Sequence, residues 1–77
     1  MDVTQQVLAV LTKELRLKDD IVQLEMNLKD DLDVQSLDAV YILMALEDKF
    51  SIVFDEKDHE RIIVVQDIVD LVKTLVE

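Results

Sequence analysis

The stretch DLDVQSLDAVYILMALEDKF, running from Asp31 to Phe50, decides how this chain folds. From Ser36 onward its apolar residues recur every three or four positions. At about 100° per residue, Ala39, Ile42, Leu43, Leu46 and Phe50 share one face, and the spacing predicts a helix to about Phe50. Leu37, Val40, Tyr41 and Met44 form a second apolar group roughly opposite, with Asp38, Glu47 and Asp48 interspersed around it. A helix apolar on two sides is either buried on both or exposes one as an interaction surface. A short chain has few elements with which to cover both, so the second face is expected to be open.

Upstream, Val3, Val7, Leu8, Leu11 and Leu15 fall on one stripe and predict a first helix, with Asp2 as its cap and Gln5 as the capping-box partner. Downstream, Val65, Ile68, Val69, Val72, Leu75 and Val76 predict a last helix. Its β-branched residues lower helix propensity and leave a strand through residues 62–65 possible on propensity alone, but the six-position stripe outweighs it. Asp55 to about Arg61 reads as one short helix capped by Asp55. Residues 17–34 lack a sustained period and read as a long loop pinned by Ile21, Val22, Leu24, Met26, Leu28 and Leu32. A loop of that length suits a compact domain only if it packs. The expectation is an all-α fold, a small helical bundle of three longer helices plus one short helix, in a single domain over residues 1–77.

The chain has 77 residues, 51% hydrophobic, with no glycine, proline or cysteine, which excludes a disulfide framework and a thiolate metal site. Eighteen acids against eight bases give a net charge of −10. That argues against nucleic-acid binding, which needs lysine and arginine to displace counterions from phosphate. Ten of the acids lie between Asp30 and Glu60, where only Lys49 and Lys57 join them, so basic partners are favoured by charge. No apolar run approaches a membrane span and no signal peptide is visible, so no membrane insertion and a cytoplasmic location are expected.

Ser36 is the residue that chemistry singles out. No potential base stands near it in sequence, since the one histidine, His59, lies far downstream among acids. A catalytic serine needs such a base and an oxyanion hole. A serine modified by another enzyme needs only exposure, and a helix N-terminus favours a phosphate ester through its free N–H groups and macrodipole. Ser36 therefore reads either as an attachment point or as a plain N-cap, for which serine is among the best residues. His59 reads as a solvated helix residue. The pairs Asp19-Asp20 and Asp30-Asp31 lack the Asp-x-Asp-x-Asp-Gly pattern of a calcium loop, so no metal site is expected.

Taken together, Leu32, Ser36-Leu37-Asp38, Met44-Ala45-Leu46-Glu47, Phe50, Asp55-Glu56, Glu60-Arg61-Ile62, Val65-Gln66 and Ile68 resemble the acyl carrier protein family along the whole chain. Four positions depart from its pattern: Gln35 replaces an aspartate, Asp33 a glycine, Tyr41 an acid and Phe54 a proline. The resemblance implies that Ser36 bears phosphopantetheine as a covalent cofactor. It implies a carrier that holds acyl or related thioester intermediates, as in fatty acid biosynthesis, and catalyses nothing itself. The implied partners are a phosphopantetheinyl transferase and acyl-group-processing enzymes with basic docking surfaces. They would read Leu37, Asp38, Val40, Tyr41, Met44, Glu47, Asp48, Asp55 and Glu56 on a monomeric carrier. Leu43, Leu46, Phe50, Ile62, Val69 and Val72 are the residues expected to shelter an acyl chain, a closed core being the plain alternative. A carrier-like interaction module without the arm and a carrier of aminoacyl groups are the two other readings.

Overall fold

The computed structural model describes residues 2–18 and 20–76. Four helices follow one another: α1 (Val3–Glu14), α2 (Ser36–Phe50), α3 (Glu56–Arg61) and α4 (Val65–Val76). The three longer helices and the short one fall where periodicity places them. α1 begins where Asp2 accepts the Gln5 N–H on Oδ1 at 2.8 Å, satisfying one of the donors that a helix start leaves free. It packs against both α2 and α4.

The core forms where these three helices meet. Val7 and Leu11 of α1, Leu46 of α2, and Val65, Val69 and Val72 of α4 are 0% exposed, with Ile42 and Ile68 nearly so. Burying each such side chain contributes about 1.5–3 kcal/mol, which for a chain this short is the main term opposing conformational entropy. The α4 stripe does not stay buried to its end. Leu75 and Val76, expected on the core face, are exposed, because the last turn of α4 runs past the residues that cover the rest.

The long first loop packs, as its apolar content requires. Val22 and Leu28 are buried, and Leu24, Met26 and Leu32 are half-buried against the core. Ile21, expected among the pins, is 45% exposed, since its neighbour Val22 takes the inward position. Backbone pairing holds the loop to the start of α4. Val65 N–H donates to the Met26 carbonyl at 3.0 Å and Gln66 N–H to that of Leu24 at 2.9 Å. These donors would otherwise be orphans of the helix start. The strand tendency around residues 62–65 is realised only as a single antiparallel bridge between Asn27 and Val64. Asp67 reaches back from the first turn of α4 to accept the Ile63 and Val64 N–H groups on Oδ2, each at 2.9 Å.

A chain with no glycine must turn with other residues, and Arg16, Asp20, Asp33 and Ser51 all take left-handed backbone with φ between 53° and 68°. Ser51 ends α2 in this way, and the next N–H, that of Ile52, returns to the Glu47 carbonyl at 3.2 Å. Left-handed backbone costs an L-residue about 1–2 kcal/mol, more than the extra chain entropy that glycine loses on folding. Ser51→Gly should therefore stabilise the fold by about 0.5–1 kcal/mol and raise the melting temperature by roughly 2–8 °C. An unchanged or lower melting temperature would show that the turn is not strained.

Candidate functional site

Ser36 occupies the first turn of α2, one place inside the helix. Gln35, with extended backbone, is the N-cap, so the reading of Ser36 as a cap is corrected. Capping at this end comes instead from Asp38, whose Oδ2 accepts the Gln35 N–H at 3.0 Å. With that duty taken elsewhere, the Ser36 side chain is exposed and has no hydrogen-bond partner among the described residues. The chain leading into it is held firmly. Asp33 turns in the left-handed region, where the family resembled above usually has glycine. The Gln35 amide Nε2 donates to the Asp33 carbonyl at 3.2 Å and to its Oδ1 at 2.9 Å, and Val34 N–H donates to the Leu28 carbonyl at 2.8 Å.

Beside Ser36 opens a cleft of about 550 Å³. Leu28, Ile42, Leu43 and Ile68 floor it, Ile62 and Ile63 wall it, and Asn27, Lys29, Asp30, Gln35 and His59 stand at its rim with Ser36. This placement separates the residues expected to shelter an acyl chain. Leu43 and Ile62 line the cleft, whereas Leu46, Val69 and Val72 belong to the closed core and Phe50 is half-buried outside the lining. The helical stripe could not distinguish them, because floor and core lie on the same face of α2. Leu28, Val34, Ala39, Ile42, Ile63 and Ile68 also line the cleft, although none of them is among the residues expected to shelter an acyl chain; the apolar pins of residues 24–32 were the available signal for Leu28. His59 shares the cleft with Ser36, yet no hydrogen bond joins them among the described residues.

The opposite face of α2 is open. Leu37 is 63% and Met44 56% exposed, with Val40 and Tyr41 between them also exposed. Asp48, Asp55 and Glu56 are exposed as well, and Asp55 caps α3 by accepting the Asp58 N–H at 2.9 Å. Asp38 and Glu47 differ from the free docking charges expected of them. Both are half-buried and their carboxylates are engaged, Asp38 on Gln35 and Glu47 on the Phe54 N–H at 2.8 Å. Glu47 thus anchors the α2–α3 connection above the buried Phe54 side chain. Glu47→Ala should cost about 1–3 kcal/mol by leaving a part-buried N–H unpaired, whereas Asp48→Ala should stay within about 0.5 kcal/mol. Denaturant melts giving the two variants equal stability would contradict this division. Among the described residues, no group of three or more histidines or acids is placed to hold a metal ion, and no helix is long and apolar enough to cross a membrane.

An exposed, unengaged hydroxyl at a helix start, above an apolar cleft, fits a covalently attached arm: nothing must move to free the oxygen, and the apolar floor lies within the same opening. A family model described as the phosphopantetheine attachment site matches residues 5–72. A solution structure from Anaplasma phagocytophilum has a TM-score of 0.84 at 29% identity, covering 95% of this chain and 86% of that one. The crystal structure of an acyl carrier protein from Thermotoga maritima shares the fold, with a TM-score of 0.78 at 21% identity over 92% of this chain and 82% of its own. In sequence, an acyl carrier protein of Campylobacter lari is 32% identical over 75 residues, 97% of each chain. One of Campylobacter jejuni is 38% identical over 69 residues, 90% of each. With the family model spanning the helices that build the cleft and these relatives aligned along nearly their whole lengths, the chain belongs to the acyl carrier protein family.

Proposed function

We propose that Ser36 is the residue that carries phosphopantetheine, and that the cleft beside it shelters the acyl end of the cargo. Members of the family carry acyl intermediates on a covalently attached phosphopantetheine and are not enzymes, and this chain is such a carrier. The observation that carries the Ser36 assignment is its hydroxyl, exposed and unengaged at the start of α2. The only other serine, Ser51, follows the C-terminus of α2, where the macrodipole opposes a phosphate.

When bound, the group supplies a terminal thiol that holds cargo as a thioester. The protein's own part is to present and to shelter. The first N–H groups of α2 would favour an ester phosphate on Ser36, and Asp38 and Gln35 fix the approach to that residue. Leu28, Ile42, Leu43 and Ile68 offer an apolar floor to a chain that would otherwise meet water.

Its partners are a phosphopantetheinyl transferase and acyl-processing enzymes. Basic surfaces on these enzymes meet the exposed charges of Asp48 and Glu56, with the exposed α3 cap Asp55 beside them, while Leu37, Val40, Tyr41 and Met44 supply apolar contact. The net charge of −10 sets copies of the chain against one another and supports a monomer, acting in the cytoplasm. A flexible arm then raises the effective concentration of cargo at each active site without a strong complex. The test is incubation with coenzyme A and a broad-range transferase, followed by proteolysis and mass measurement. One arm on the peptide containing Ser36 is the expected result, and an arm on any other peptide overturns the assignment.

A further inference from the structure

The rim of the cleft carries two basic side chains in a protein of net charge −10. Lys29 and His59 come from different elements, yet both border the opening that holds Ser36. Leu28 ties the three together through its backbone. Its carbonyl accepts the Val34 N–H at 2.8 Å, two residues before Ser36, and its own N–H donates to the Ile63 carbonyl at 3.0 Å, just beyond α3. Lys29 follows Leu28 directly, and His59 lies on α3, so the pairing that closes the cleft also fixes where these bases stand. Neither side chain is ion-paired among the described residues.

A chain sheltered on the apolar floor brings the arm from Ser36 into the opening that Lys29 and His59 border. The arm begins at a phosphodiester, which carries a negative charge into a protein of net charge −10. The Lys29 charge offsets the surrounding repulsion and the His59 ring offers an N–H donor beside it, and charge-assisted bonds to phosphate oxygens are among the stronger polar contacts. We propose that Lys29 and His59 receive the phosphodiester on Ser36 and lay the arm along the mouth of the cleft. The inference rests on Ser36 as the attachment residue. Asp30 shares the rim and opposes the contact, which gives the proposal a control of opposite sign.

The test uses the holo protein and the phosphorus resonance of its arm. In the wild type the resonance should move as salt is raised to about 1 M, where the Debye length falls to about 3 Å. The double variant Lys29→Gln/His59→Gln should show, at low salt, the position the wild type reaches only at high salt. Lys29→Arg should keep the salt response, and Asp30→Asn should enlarge it. Freed from the rim, the arm's thiol should react with a small disulfide reagent about 1.5- to 5-fold faster in the double variant, the range expected of exposed ion pairs. Identical resonances and thiol rates in wild type and double variant would overturn the contact. So would a difference that arises only after loading an acyl group with its own carboxylate, since the rim would then be reading cargo. An intact mass with no added arm overturns the Ser36 assignment, and the rim contact falls with it.

Discussion

Ser36→Ala should leave a folded protein that accepts no phosphopantetheine at all. The side chain is exposed and bonded to nothing among the described residues, so removing its oxygen creates neither a cavity nor an orphaned group. The helix start keeps its cap, because Asp38 on the Gln35 N–H does that work. Stability should therefore stay within about 0.5 kcal/mol of the wild type, as for most surface changes. Modification, by contrast, should fall to zero, since no other serine stands at a helix start. Ser51→Ala provides the comparison: that serine sits in left-handed backbone after the negative end of α2, and its loss should leave modification intact. Intact-mass measurement after incubation with coenzyme A and a transferase reads both variants. An arm still added to the Ser36→Ala protein would refute the assignment, whereas a large fall in its melting temperature would refute the account of how α2 is capped.

The helices were legible because each carries a repeating apolar stripe, and the stripe is a direct record of which face meets the core. α4 shows both the strength and the limit of that record. Val65, Ile68, Val69 and Val72 are buried as their spacing requires, yet Leu75 and Val76 continue the same spacing into solvent. Periodicity says which side of a helix is apolar but not how far along the neighbouring elements reach. The capped start of α3 was legible for a different reason, since Asp55 is a favoured cap residue, and the reciprocal bond from Asp58 is a detail the structure adds.

What could not be read depends on contacts between residues far apart in sequence. Glu47 resembles any other acid on the outer side of α2 until the Phe54 N–H is brought back to it from seven positions away. The boundary between cleft and closed core was hidden in the same way. Leu43 and Leu46 differ only by where the loop around Leu28 and the residues at 62–63 come to rest, and backbone pairing fixes both. The left-handed turns were hidden too, because the glycines that usually mark them are absent. At Asp33 the comparison with the family's usual glycine was the one sign that such a turn stood before Ser36.

Leu46→Ala and Met44→Ala, two residues apart on one helix, should fail in opposite ways. Their side chains point about 200° apart around α2. Leu46 is 0% exposed in the core shared by α1, α2 and α4, so truncation leaves a cavity and should cost about 2–5 kcal/mol. A chain of this size has only about 4–12 kcal/mol in total, and the melting temperature should fall by roughly 10–30 °C. Met44 is 56% exposed, and its truncation should leave the melting temperature nearly unchanged. Its effect belongs to partners: as an apolar anchor beside Leu37 and Tyr41 it should raise the off-rate from an acyl-processing enzyme roughly 5- to 30-fold, about 1–2 kcal/mol. Leu37→Ala should behave like Met44→Ala. Thermal melts paired with surface-binding kinetics separate the two classes. If Met44→Ala unfolds the protein while binding survives in what remains folded, the outer face of α2 is core rather than docking surface. If Leu46→Ala instead leaves stability intact and alters only cargo retention, the floor of the cleft reaches deeper than Leu43, and the closed core begins further along α2.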